Sequence, residues 1–228
     1  MGTIEAFKHN FNKKCHGMSC DFWEAEESDD GANFKKLTFR KPGTNFFPVD
    51  CHFIKSEKFV NQDAGKHLRD KNCDATCIWR ESDGEARETE ILMMVELKSK
   101  FSESEIRDAF YQTIYSYLRM HMVQSLCDGY DCKTQKLMLC VGCQRYDSDS
   151  CAKVMEKISK RREAGIEGFG TVALFSLIQG RPVVLTFGRL LGLYGIELKL
   201  PQQMLDKRVQ LNLYLTKEVA DETFEVAL

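Results

Sequence analysis

Apolar positions along this chain change their period at a few sharp places, and those places mark its elements. "CDATCIWRE" and "ETEILMMVELKSKF" are rich in aliphatic and β-branched residues and are separated by "SDGEA", which predicts two strands joined by a turn. The period then shifts. Ile106, Ala109, Phe110, Thr113, Tyr117 and Leu118 recur at three- and four-residue intervals, and Ser102 with Glu105 forms an S-x-x-E helix start, so a helix is predicted from Ser102 to near Leu126. "KLMLCVGC" reads as a buried strand, and "SCAKVMEKISKRREAG" as a helix stopped by Gly165. Upstream, residues 3–15 form an amphipathic helix with Ile4, Phe7 and Phe11 on one side. Gly17 to Asn33 is acidic and polar and reads as a surface segment. "KKLTFR" is a short strand, "KPGTN" a turn, and "FFPVDCHFIKSEKFV" fits strand or helix. Past Gly165, "GTVALFSLI", "RPVVLTF" and "RVQLNLYL" each suit a strand or a buried helix. The order strand–strand–helix–strand–helix places the chain in the α/β class with a mixed sheet.

One of these strands breaks its own pattern. In "ILMMVELKSK" the run Ile91–Val95 is apolar on both faces, as in a central strand, yet Glu96 and Lys98 follow where aliphatic residues belong. Burying either charge alone costs several kcal/mol, on the order of 3–5 for a broken buried pair. If the turn centres on Glu85, opposed residues in the hairpin have indices adding to 170, and Asp74 faces Glu96. Side chains alternate, so Glu96 and Lys98 share one face and Leu97 points away. Asp74, Glu96 and Lys98 then converge on one patch. Two carboxylates at this spacing need a cation to stay ionised together, and a hard divalent ion, Mg2+ or Mn2+, supplies it and acts on phosphate esters. The bland alternatives are an edge strand with a solvated face for Glu96 and Lys98, and turn chemistry in "KNCD" for Asp74.

At this point the chain resembles the PD-(D/E)XK nuclease superfamily: an Asp, a hairpin-length gap, Glu-x-Lys inside an apolar strand, then a helix. The matching residues are Asp74 in "NCDATCIW" and Glu96 and Lys98 in "MVELKSK", with Cys73 where the family has proline. The resemblance implies a restriction-endonuclease-like core, a mixed β-sheet flanked by helices, over about residues 45–190 of a single domain of 1–228. It implies a Mg2+-dependent (or Mn2+-dependent) nuclease acting on DNA more readily than RNA. Asp74, Glu96 and the carbonyl of Leu97 would hold the ion, and Lys98 would assist the nucleophile. Gln112 in "YQTIYSY" is similar to the glutamine of the exonuclease branch, with Tyr115 in place of a tyrosine directly after it. Many members add a glutamate from an upstream helix, and Glu5 and Glu57 are both candidates. A module of this fold that has lost catalysis and binds nucleic acid or protein is the alternative, with Lys98 kept as a structural ion pair. A homodimer interface could lie in the less legible chain ends.

Composition narrows the partners. With 32 basic against 34 acidic residues the net charge is -2, so bulk charge does not call for a polyanion and any such site must be local. "KVMEKISKRRE" offers one, with Lys153, Lys157, Lys160, Arg161 and Arg162, although a solvated helix face explains the same pattern. Tyr111, Tyr115 and Tyr117 suit base stacking or, more simply, a helix core. No apolar run suits a signal peptide or a bilayer span, so the expectation is an intracellular protein, cytoplasmic or nuclear, without a membrane partner. In that setting the ten cysteines are expected as reduced core residues; Cys140–Cys143 and Cys73–Cys77, with His16, His52 and His67, do not assemble into a zinc pattern. No Walker loop, GxSxG or HExxH is present, and "GIEGFGTV" is a loop rather than a dinucleotide fingerprint.

Overall fold

The computed structural model describes residues 3–11, 19–49, 72–82, 88–144, 148–216 and 223–228. Elements run in the order α1 (Thr3–Asn10), β1 (Ser19–Glu26), β2 (Lys36–Val49), β3 (Ala75–Ser82), β4 (Glu88–Lys98), α2 (Glu103–Gln124), β5 (Lys136–Cys143), α3 (Ser148–Glu163), a π-helical turn (Gly170–Leu174) running into α4 (Phe175–Ile178), β6 (Val183–Thr186), α5 (Phe187–Leu193), α6 (Gln202–Leu205), β7 (Arg208–Leu215) and β8 (Thr223–Ala227). Eight strands make one mixed sheet in the order β1-β2-β3-β4-β5-β7-β6, with β8 paired alongside β2. Strands β4, β5 and β7 are mutually parallel, as are β2 and β8, while the β1–β2, β2–β3, β3–β4 and β6–β7 pairs are antiparallel. The expected α/β class with a helix-flanked mixed sheet is present.

Strand β4 sits at the centre, and both its faces are buried. Leu92 and Met94 join Ile106, Phe110 and Ile114 of α2 in a large core on one face. Ile91, Met93, Val95 and Leu97 face the opposite way, against Trp23, Phe34, Leu37 and Phe39 from the β1–β2 layer. Residues 91–95 are all at most 2% exposed, which explains why the run is apolar without alternation. Helix α2 begins where Ser102, in an extended conformation, accepts the Glu105 N–H at 3.1 Å. Helix α3 ends at Gly165, whose φ of 68° lets the chain reverse there.

Several segments depart from expectation. The acidic segment read as surface coil contains β1, because Trp23 and Ala25 on its inward face enter the second core while Glu24 and Glu26 point out to Lys36. "KPGTN" does not end a strand; β2 runs through it as a bulge. Pairing jumps from Cys20↔Asn45 to Phe22↔Arg40, and Asp21, itself at φ 67°, accepts the Gly43 N–H at 2.7 Å. "GTVALFSLI" is helical, whereas "RPVVLTF" and "RVQLNLYL" contain β6 and β7. The "SDGEA" turn and most of "FFPVDCHFIKSEKFV" lie outside the described residues. Among the described residues, no helix is long and apolar enough to cross a membrane.

Gly142 on β5 ties the second core to the strand carrying Glu96. A Cβ there would lie 2.8 Å from Leu97 Cδ2, 2.9 Å from Phe34 Cε1 and 3.0 Å from Leu37 Cδ2. Gly142→Ala is expected to cost about 1–3 kcal/mol by overpacking, read as a lower midpoint in chemical denaturation, and an unchanged midpoint would refute the close packing around Leu97.

Candidate functional site

The hairpin has the register its sequence suggests. All eight β3–β4 pairs, from Ala75↔Val95 to Ser82↔Glu88, have indices adding to 170. Asp74 is the residue just before the first pair, on the side where β3 gives way to the preceding loop. There the ladder is replaced by side-chain chemistry. The Cys73 N–H turns away to Ser116 Oγ on α2 at 2.8 Å, and the Leu97 N–H donates instead to Asp74 Oδ2 at 2.6 Å. In an antiparallel ladder a residue's N–H and C=O face the same edge, so the Leu97 carbonyl is directed toward this corner too.

Glu96 and Lys98 project toward the α2 face, as do Leu92 and Met94, while Leu97 packs into the opposite core. Lys98 Nζ meets Glu96 Oε1 at 2.5 Å, with the glutamate side chain 3% exposed and the lysine 20%. Glu96 Oε2 is buried and, among the described residues, has no hydrogen-bond partner. Burial, and then the nearby Asp74 carboxylate, push the Glu96 carboxyl well above its ordinary range, and Lys98 offsets this only in part. Burial pulls the Lys98 ammonium down, but Glu96, with Asp74 and Glu105 behind it, more than reverses that and leaves it raised. The corner brings two carboxylates to one lysine. The donor types (Asp74 and Glu96 carboxylates and a backbone carbonyl at Leu97) suit a hard divalent cation.

Gln112 is buried on α2 one turn before Ser116, hence on the same helix face, and its Nε2 has no partner. Since α2 runs back along the sheet, this places the amide toward the strand end bearing Glu96. Glu105 was accounted for only as half of a capping box, and its influence on Lys98 went unread. Its position seven residues after Lys98, in the first turn of the helix that returns over the strand, was the available signal.

Other candidates fall away. Glu5 is bound bidentately by Arg80, with Arg80 Nη2 at 2.5 Å, and Arg80 pairs with Glu90, six residues from Glu96 along β4, or roughly 20 Å. Glu5 is therefore not the upstream carboxylate of this site. Glu57, the other candidate, lies outside the described residues. The tyrosines belong to the core: Tyr111 stacks on Tyr115 with ring centroids 5.3 Å apart, and Tyr117 meets Phe187 edge-on at 5.1 Å. On α3, Lys160 pairs with Glu156, Arg161 with Glu103 and Arg162 covers the Phe175 ring, so three of the five cations are already engaged. Cys140 and Cys143 sit in opposite cores, three residues apart on a strand, and so cannot chelate one ion together. Among the described residues no group of three or more His, Cys, Asp or Glu side chains is placed to hold a metal, and the described cysteines are free thiols, most of them buried. Comparison with protein-family models, curated proteins and solved structures returned no match.

Proposed function

We propose that the chain is a metal-dependent nuclease with a restriction-endonuclease-like core, hydrolysing phosphodiester bonds of DNA in preference to RNA. The observation that carries this reading is the Asp74–Glu96–Lys98 corner, two carboxylates and a lysine at the end of a central strand with Glu96 Oε2 buried and unpartnered. Mg2+ or Mn2+ held by Asp74, Glu96 and the Leu97 carbonyl would polarise a phosphate oxygen and acidify the attacking water. Asp74 is fixed through the Leu97 N–H, which donates to its Oδ2. Lys98, more exposed than Glu96, would place its ammonium where charge builds up on the phosphoryl oxygens. Gln112 supplies an amide from the covering helix that can orient either carboxylate or substrate.

The test is hydrolysis of linear and plasmid DNA, single-stranded DNA and RNA with Mg2+ or Mn2+ and with EDTA. Cleavage that requires the cation and disappears in Asp74→Asn supports the proposal. A second reading, a nuclease-fold module without catalysis, draws on the 2.5 Å Lys98–Glu96 contact, since a lysine closing on its neighbouring carboxylate is what a structural ion pair looks like. Tight nucleic-acid binding with no cleavage of any substrate, and no anomalous Mn2+ signal at Asp74 and Glu96 in a soaked crystal, would favour it.

A further inference from the structure

We propose that the chain carries a second binding site, for a nucleoside polyphosphate, at the end of the sheet opposite the Asp74–Glu96–Lys98 corner. It does not depend on the nuclease reading. Lys136 opens β5 beside Ile91, five residues before Val141, the partner of Glu96, so the two sites are roughly 16 Å apart along the strands.

Two cavities meet here, of about 560 and 670 Å³. Both are lined by Lys136 and Arg208, the first residues of the adjacent parallel strands β5 and β7. Their walls differ in chemistry. The first cavity has Trp79, Ile91, Met138, Tyr214 and Val184 over one side of the sheet, an apolar and aromatic wall, with Lys41, Glu81 and Gln210 also lining it. Among the described residues no apolar one lines the second, where Lys133, Thr134, Gln135, Gln202 and Lys207 contribute. Each volume lies in the range of small-ligand sites.

The charge at the junction is positive in a chain of net charge -2. Lys133 and Arg208 are exposed, and among the described residues neither has an ion-pair partner. Glu81 is taken by Lys41 and lies 3.7 Å from Lys136, while Asp206 accepts from Gln202 Nε2 at 2.8 Å. Lys207 is spent structurally, with its ammonium on the carbonyls of Cys132 and Gln135, and so holds the 132–135 loop against the sheet end. Beside it the Gln135 side chain is buried with neither amide atom partnered. Lys133, Lys136 and Arg208 thus form a cationic step between a polar and an apolar cavity. A ligand with a flat apolar group and two or three linked phosphates matches both halves: the ring enters the first cavity, and the phosphates lie along Lys136, Arg208 and Lys133, with Arg208 able to grip one in bidentate fashion.

The experiment is calorimetric titration of the full chain in EDTA, which removes divalent ions so that binding at the carboxylate corner is not read. ATP, GTP, inorganic tripolyphosphate and a single-stranded oligonucleotide are the probes. ATP or GTP is expected to bind with Kd below about 1 mM and tripolyphosphate at least ~10-fold more weakly, since it leaves the apolar cavity empty. Lys136→Glu/Arg208→Glu, at two exposed positions, is expected to weaken nucleotide binding by ~100-fold or more. Val184→Trp, filling the apolar mouth from an exposed edge-strand position, should weaken nucleotides and leave tripolyphosphate unchanged. No heat from either nucleotide, equal affinity for tripolyphosphate, indifference to the double substitution, or displacement of the nucleotide by the oligonucleotide at higher affinity would each overturn the assignment. Cleavage of DNA by Lys136→Glu/Arg208→Glu at the native rate would leave the carboxylate corner independent of this site, as expected; loss of cleavage with native fold would overturn that independence.

Discussion

Lys98→Ala is expected to lower Mg2+-dependent phosphodiester hydrolysis by about 10²–10³-fold or more, the scale for removing one preorganised donor from a developing oxyanion. The fold should survive. Glu96 loses its counter-charge, but burial already raises its carboxyl, so it takes up a proton more readily and caps the cost. Lys98→Arg separates the two readings. It keeps the charge on Glu96 and should restore stability, but the larger planar guanidinium cannot occupy the ammonium's place at 2.5 Å from Oε1 and should leave most of the activity lost. Rates measured alongside melting temperatures decide the matter: hydrolysis in Lys98→Ala within about threefold of the native rate removes Lys98 from any catalytic role.

Glu96→Gln should produce opposite effects on activity and stability. Activity with Mg2+ should vanish, since an amide is a poor ligand for a hard cation and the second carboxylate is gone. Without metal, the variant should be more stable than the native protein near pH 8. The sign follows from the raised carboxyl. The folded state holds a proton on Glu96 after the unfolded chain, with its ordinary value near 4.5, has lost its own. That contribution is fully present below 4.5 and is lost as pH rises through the elevated folded value. Glutamine removes the loss, so the advantage should be absent near pH 4 and grow on the order of 1 kcal/mol per pH unit within the window. Denaturation curves in EDTA at pH 4, 6 and 8 measure it. A variant less stable than native at pH 8 would show that the Lys98 ion pair outweighs the burial of the charge.

The central hairpin was legible because three signals agreed there: two apolar runs, a turn-forming spacer and a charge pair out of place in a buried strand. A register depends only on where the turn centres, so one assumption fixed Asp74 opposite Glu96. Strand β1 was hidden because Glu24 and Glu26 on its outer face pair with Lys36, and its inward residues, Trp23 and Ala25, are too few for a visible period. Gly43 looked like a stop because a positive-φ glycine serves a turn and a bulge equally well. In "GTVALFSLI" the two polar positions, Thr171 and Ser176, are small hydroxyl residues five apart, too few to set a period that tells strand from helix. Glu5 failed for a reason no linear pattern carries, namely an arginine from another strand that claims it.

The placement of β7 has a consequence for how the molecule is made. It lies between β5 and β6 although it follows both, and its pairs with β5 join Leu137–Cys143 to Val209–Leu215. On the ribosome, the flank of β5 stays open until some 70 further residues have emerged, roughly 4–14 s at about 5–20 residues per second. During that interval an apolar strand with unpaired amides faces solvent or a chaperone, while the hairpin and its carboxylates are already translated. Premature termination anywhere before Arg208 should therefore yield aggregates rather than a smaller working protein.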